Sequence, residues 1–389
     1  MKFSEKIFST FLLFGVTLNL FAQNNSDSVV VTESTQDILV EIAEDDVPII
    51  PTNLDKISST GPRKVKNVIL MIGDGTGLAQ WSAAQASQKD NLQIFNFAEV
   101  VGLSKTSSAS DFITDSGAGA TAISIGEKTY NKAIGVKSDT TASFTLSEML
   151  HVKGKATGLV ATCGLTHATP ASFYAHQPNR YMDKAIANDF YSGFIDIAIG
   201  GGFPYFDTSK LIDLGYNVDL YTNGNLNSMN SEKMVVFYDT SNHPPKKSEG
   251  RGSFLVDATL CAIKNLNKNE NGFFLMVEGS QIDWGGHNND ADYVISETLD
   301  FDSTIAAVGR WAKINGETLV IVTADHETGG LSLTDFDKKG HKPKCEFSTE
   351  HHTGIPVPVF SFGPGSRNFG GVYENNTLHN KILNAFDNE

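Results

Sequence analysis

The chain has 389 residues, 40% of them hydrophobic, and a formal net charge of -15. Such a length supports a large core, as one big α/β domain or two ordinary ones. So acidic a balance argues against general binding to nucleic acid or anionic membranes, which depends on basic surface, but leaves room for an anionic substrate held by local metals or arginine.

Lys2 and Lys6 open the chain and precede a mostly apolar run, Ile7 to Phe21, interrupted by Ser9, Thr10, Thr17 and Asn19. With Ala22 offering a small residue for cleavage, residues 1–22 are expected to be a signal peptide directing export to the periplasm or beyond, too short and too interrupted for a comfortable membrane span. Residues 23–63 are acidic, rich in Ser and Thr, and carry Pro48, Pro51 and Pro62, the composition of a poorly ordered leader.

From Lys64 onward a repeating pattern begins. Asn67 to Ile72 is a continuous apolar run ended by Gly73-Asp74-Gly75, as in a buried parallel strand, and Leu78 to Gln88 reads as a helix. Ala156 to Cys163 enters Thr166-His167-Ala168-Thr169-Pro170. Phe273 to Val277 enters Glu278-Gly279-Ser280, Leu319 to Thr323 enters Asp325-His326-Glu327, and Val357 to Phe362 enters Gly363-Pro364-Gly365. Helix candidates lie between them at Thr145 to Val152, Phe254 to Leu266 and Ser296 to Lys313. The alternation predicts an α/β fold over 64–389, with a mostly parallel central sheet flanked by helices on both faces. The polar stretch 203–251, with His243-Pro244-Pro245-Lys246-Lys247, is expected to leave the core as an insert or cap.

In open α/β sheets ligands bind beyond the carboxyl ends of the strands. Here those ends carry Asp74, Thr169, Glu278, Asp325 and His326. Asp283 and His287 are four apart in DWGGH, on one side of a helical turn or, with Gly285 and Gly286 between them, of a tight loop. His352 adds an imidazole before the last strand. Imidazole with carboxylate suits zinc, and oxygen sets such as Asp74, Thr169 and Glu278 suit magnesium. Ser116 opens a tract of small residues, Gly117 to Ala122; it is either the first residue of a tightly packed, capped helix or a nucleophile facing an anion. Two metals about 4 Å apart serve displacement at phosphorus, and an arginine such as Arg180 grips phosphoryl oxygens bidentately. Cys163, Cys261 and Cys345 are isolated, form no CxxC motif, and are expected to behave as small apolar residues.

The stretches NVILMIGDGTG, TDSGAGATA, KTYNKAIGV, THATPASFYAHQPNR, VEGSQIDWGGH, VTADHETGG and HHTGIPVPVFSFGPG occur in this order. On them, the chain resembles the alkaline phosphatases over nearly all of Lys64 to Phe386. The resemblance implies hydrolysis of phosphate monoesters at alkaline pH through a phosphoserine on Ser116. Arg180 would clamp the phosphate and Asp115 would orient that arginine. Asp74, Asp325, His326 and Ser116 would hold one zinc, and Asp283, His287 and His352 a second. Asp74, Thr169 and Glu278 would hold a magnesium, and the adjacent His351 would not be a ligand. His167 and Trp284 replace the aspartate and lysine of the best-known enterobacterial pattern, which opens the identity of the third metal and puts an imidazole beside it. His151, His176, His243, His341 and His379 match no ligand position. A homodimer is implied, although the chain between Gly330 and His352 is too short for the crown insertion of larger members. The rival readings are a two-zinc phosphodiesterase or sulfatase-like hydrolase, and an exported phosphate- or metal-binding protein without turnover.

Overall fold

The structure, a computed structural model, describes residues 10–13, 16–19, 64–222, 225–340 and 342–387. Residues 1–60 and 61–389 form separate units. In the first, Thr10–Leu13 pairs antiparallel with Val16–Asn19. The leader expected over 23–63 lies outside the described residues, as does most of the expected signal peptide. Among the described residues no helix is long and apolar enough to cross a membrane.

The second unit is built on one ten-stranded sheet. Its strands in chain order are β1 (Asn67–Gly73), β2 (Val100–Lys105), β3 (Ala156–Gly164), β4 (Ile197–Gly201), β5 (Asn217–Leu220), β6 (Met234–Phe237), β7 (Phe273–Gly279), β8 (Thr318–Thr323), β9 (Val357–Phe362) and β10 (Gly371–Glu374). Across the sheet the order is β10-β2-β9-β8-β1-β7-β3-β4-β6-β5. Every neighbouring pair is parallel except the two that involve β9, which runs against both β8 and β2.

All seven residues of β1 are buried, because both faces of the sheet are covered. Ile69 and Met71 turn to one face with Leu275, Val277, Val320 and Val322, under helices α4 (Phe254–Leu266) and α6 (Ala291–Asn315). Val68, Leu70 and Ile72 turn to the other with Phe274, Met276, Leu319 and Ile321, against α2 (Ser116–Ile125), α3 (Leu146–Val152) and α7 (Thr377–Asp387). This is the alternation expected of a pleated strand packed on two layers. The remaining helices used below are α1 (Leu78–Ala86) and α5 (Gln281–His287).

Two expectations fail here. The stretch 203–251 does not leave the core: it supplies β5 and β6, with Met234–Phe237 fully buried beside β4. Its polar and proline runs conceal two strands of four residues each. At its end Arg251, 1% exposed, pairs with Glu297 and Asp300 of α6 and ties the segment to that helix. Also, Val357–Phe362 does not repeat the parallel pattern. As β9 is antiparallel, the turn after it lies at the opposite sheet edge, and the residues before it arrive at the edge where the parallel strands end.

Candidate active site

That shared edge collects the chemistry. Asp74 follows β1, Cys163 is the last residue but one of β3, and His167 and Thr169 lie just beyond it. Glu278 is the last residue but one of β7, and Asp325 and His326 follow β8. His352 reaches the same edge because β9 runs the other way. Asp283 and His287 share one side of α5, so the helical option holds and the loop option does not. Gly285 and Gly286 permit close packing instead: a Cβ on Gly285 would stand 2.7 Å from the backbone nitrogen of Val294, and one on Gly286 would stand 3.0 Å from the carbonyl oxygen of Thr328.

Three clusters of ligand-type side chains form there among the described residues: Asp74, Asp325 and His326; Asp283, His287 and His352; and Cys163, His167 and Glu278. Within each, one ligand atom per residue lies within 4.8 Å of the others. The first two adjoin, since the rings of His326 and His352 stack with centroids 3.6 Å apart. His352, not the exposed His351, is the imidazole that enters.

Hydrogen bonds fix which nitrogen of each ring carries the proton. Thr328 Oγ1 donates to Asp283 Oδ1 at 2.5 Å, so toward His326 Nδ1, at 3.2 Å, it accepts. His287 Nδ1 donates to the carbonyl of Glu350 at 2.6 Å, and His352 Nδ1 to that of Thr114 at 2.9 Å. All three rings therefore hold their proton on Nδ1 and point the Nε2 lone pair inward, the arrangement of metal-ligating histidines. His287 Nε2 and His352 Nε2 stand 3.0 Å apart, with the Asp283 carboxylate 3.4 and 3.5 Å from them. Two facing lone pairs repel unless a cation lies between them.

The carboxylates make the same demand. Both oxygens of Asp74 and Oδ2 of Asp325 are buried with no hydrogen-bond partner. Burial, then repulsion from Asp325 and Asp283, pushes the Asp74 carboxyl well above its usual range, and burial raises that of Asp325. Burial and the neighbouring His352 hold the His326 imidazole neutral. Buried anions persist when paired or bound to metal, so these carboxylate and imidazole donors fit zinc. In the third cluster Glu278 Oε1 and His167 Nδ1 are buried without a well-formed hydrogen bond, as is Oγ1 of Thr169, two residues after His167. Burial pushes the Glu278 carboxyl up to about 7, and Glu278 in turn raises Asp74, so the third cluster adjoins the first.

Ser116 is the first residue of α2 and 1% exposed, with Oγ 3.2 Å from His326 Nε2. Asp115 caps the helix: Oδ1 accepts from the backbone N–H of Ala118 at 3.0 Å and of Lys132 at 2.8 Å. Its other oxygen accepts from Arg180 Nη1 at 2.9 Å. Burial opposes the Asp115 charge, but Arg180 and the two N–H donors outweigh it and hold the carboxyl below the usual range. Arg180, 14% exposed in its side chain, also feels the charges of Asp74 and Asp283, so it faces the clusters.

Three contributors escaped the sequence reading. Thr328 links the first two clusters through its hydroxyl. Glu327, buried, accepts from Gln80, Thr353 and the backbone N–H of Leu331, and so binds α1 and the strand bearing His352 to the turn after β8. Cys163, read as a small apolar residue, donates from Sγ to Glu278 Oε2 at 3.3 Å. Thr328 and Glu327 adjoin the Asp325-His326 pair in VTADHETGG, the one signal that could have found them. An isolated cysteine gives none.

The alkaline phosphatase family model matches residues 65–219 and 225–344. Alkaline phosphatase 3 of Bacillus subtilis (strain 168) is 40% identical over 83% of this chain and 89% of its own length. Alkaline phosphatase 4 of the same organism is 36% identical, over 82% and 88%. The solved alkaline phosphatase of the Antarctic bacterium TAB5 is 42% identical with a TM-score of 0.79, covering 84% of this chain and 99% of that one. The cold-active enzyme of a Shewanella species is 28% identical with a TM-score of 0.78, covering 82% and 99%. The chain belongs to the alkaline phosphatase family, whose members are phosphoric monoester hydrolases.

Proposed function

We propose that the chain hydrolyses phosphate monoesters by attack of Ser116 Oγ on phosphorus, forming a phosphoserine that water then cleaves to inorganic phosphate. The observation that carries this reading is the placement of Ser116 at a helix N-terminus, against His326 Nε2, facing two cation-demanding clusters and an arginine. A protein that only captures phosphate has no use for a serine so placed.

Each group has a task set by its geometry. The His326 proton resides on Nδ1, so before an ion binds Ser116 Oγ–H donates to the Nε2 lone pair, 3.2 Å away, and with an ion in place Nε2 and Oγ would both face it. The helix N-terminus and Arg180 N–H groups meet the non-bridging phosphoryl oxygens. Asp115 keeps the guanidinium from swinging away. Asp74, Asp325, His326 and Ser116 would hold one zinc; Asp283, His287 and His352 a second; Asp74, Thr169 and Glu278, with His167 beside them, a third ion, magnesium by family. A variant of the TAB5 enzyme has been solved with Mg bound. When bound, the ions supply Lewis-acid stabilisation of the entering and leaving oxygens and favour their deprotonated forms, which predicts activity rising toward alkaline pH.

Export through the 1–22 segment and a homodimeric assembly are part of the same reading; the apolar run after Lys2 and Lys6 supports the first, family membership the second. Purified protein should hydrolyse an aryl phosphate, lose activity to a chelator and regain it with zinc plus magnesium. Activity surviving complete chelation would overturn the metal assignment, and phosphoenzyme at normal yield in Ser116→Ala would move the nucleophile elsewhere. Sedimentation velocity of the purified protein checks the dimer.

A further inference from the structure

We propose that Cys163 is a thiolate ligand of the ion held by His167 and Glu278, making the third cluster a site for a soft divalent ion such as zinc in preference to magnesium. The inference rests on reading that cluster as a metal site.

Three observations support it. Cys163 is fully buried near the carboxyl end of β3, with Sγ aimed at Glu278 Oε2, 3.3 Å away. Ligands about 2.0–2.3 Å from one tetrahedral zinc lie about 3.5 Å from each other, so sulfur and oxygen already stand at the spacing of two ligands on one ion. A nitrogen of His167 completes a sulfur, nitrogen and oxygen set within 4.8 Å. Independently, Glu278 Oε1 and Thr169 Oγ1, on residues with no exposed surface, make no hydrogen bond of good geometry, although the Thr169 and Ser280 hydroxyls stand close enough to the Glu278 carboxylate to favour its charge. Oxygen acceptors and donors sealed from water in this way point to a ligand between them.

The donor set decides the ion. Magnesium binds oxygen, demands octahedral geometry and keeps several waters. Sulfur and imidazole are softer donors and select zinc-type ions. Here they add to the oxygens of Glu278 and Thr169, and Trp284 walls the site, its ring centroid 5.9 Å from that of His167 and 5.1 Å from that of His243. On binding, the Cys163 S–H proton leaves for solvent, the S–H to Glu278 hydrogen bond is lost, and a sulfur–metal bond forms. Neither other cysteine competes: Cys261 lies on α4 against Asn265, and Cys345 in the hairpin of Leu331–Asp337 and Lys342–Phe347.

The test uses full-length protein, stripped by chelator and titrated with cobalt(II), a spectroscopic substitute for zinc. A thiolate-to-cobalt charge-transfer band should grow in the near ultraviolet with the third equivalent. It should vanish in Cys163→Ser and persist in Cys345→Ser, while the visible ligand-field bands of the first two ions persist in all three proteins and report an intact fold. In a second arm, zinc-loaded protein is dialysed against a large excess of magnesium. Wild type should keep three zinc ions, and Cys163→Ser should exchange one of them for magnesium. Three bound ions without the band, or a band that survives Cys163→Ser, overturns the inference and leaves the third metal site standing. Binding that stops at two ions removes both.

Discussion

Replacing Thr328 by Val separates the proton-fixing role of its hydroxyl from the role of its shape. The hydroxyl donates to Asp283 Oδ1 at 2.5 Å and accepts from His326 Nδ1 at 3.2 Å, so it orients one side chain in each of the first two clusters. Valine keeps the volume, and the methyl that packs on Gly286 retains its place. Each lost hydrogen bond costs about 0.5–1.5 kcal/mol, so the pair costs about 1–3 kcal/mol, a factor of roughly 5–150. The same range is typical when a group supporting a metal ligand is removed, about 10–100-fold. Without its acceptor, the His326 proton can move to Nε2, where it would face Ser116 and Asp74 in place of the lone pair. The expected outcome is therefore a 10–100-fold weaker hold on zinc in chelator competition, with a comparable fall in kcat/KM when zinc is not in excess. Thr328→Ser should recover most of both, because it restores the hydroxyl and loses only the methyl. Zinc retention within twofold of wild type in Thr328→Val would refute the argument. A serine variant as poor as the valine one would show that the methyl contact, not the hydroxyl, matters.

Arg180→Ala should raise the inhibition constant for inorganic phosphate by roughly 10–100-fold, the worth of charge-assisted hydrogen bonds of about 1.5–3 kcal/mol; Arg180→Lys should recover little, since an ammonium cannot make the bidentate contact, and full recovery would argue against it. His176 donates from Nδ1 to the carbonyl of Gly135 and from Nε2 to Glu148. Burial lowers its pKa, but these acceptors outweigh burial and raise it above its unfolded value of about 6.5. Its extra stability is thus complete below about 6.5 and is lost as pH rises through the folded value, so calorimetry of His176→Gln should show a penalty of about 1 kcal/mol in mild acid that shrinks toward alkaline pH. A penalty that grows with pH would reverse the sign. Arg251→Met leaves Glu297 and Asp300 as buried carboxylates, with Lys247, 2.7 Å from Asp300, the one other cation paired with them among the described residues. It should cost about 3–5 kcal/mol in denaturant unfolding, and a loss below about 1 kcal/mol would show that the cluster rearranges freely.

The legible part of this fold was its parallel core. Continuous apolar runs such as Asn67–Gly73 and Phe273–Gly279 state their burial on both faces in composition alone, and polar residues at their carboxyl ends then fall on one edge. The direction of β9 was not legible, because VPVFSF has the same composition whichever way it runs. Nor were β5 and β6: NVDL alternates weakly, and MVVF is too short to stand out among asparagines and prolines. The glycines of α5 left helix and loop both open for a related reason. Their usual loop preference gives way to close packing against Val294 and Thr328, which only tertiary structure reveals.

The same limit divides the site. Residues that offer charge or imidazole at a strand end are visible in the sequence, because each follows an apolar run whose end the sequence shows, and the structure brings them to one sheet edge. Residues that decide how those groups are used are not, because their partners are remote in the chain. Thr328 meets Asp283 across 45 positions, Thr114 meets His352 across 238, and Cys163 meets Glu278 across 115. Each of the three imidazoles draws its Nδ1 acceptor from a different segment: a carbonyl after the Leu331–Phe347 hairpin, a carbonyl before α2, and a hydroxyl after β8. The inward lone pairs are therefore a property of the assembled edge and not of any motif. A fragment bearing the histidines without all three acceptors would present mixed tautomers, and a metal would have to impose the order that the folded chain already supplies.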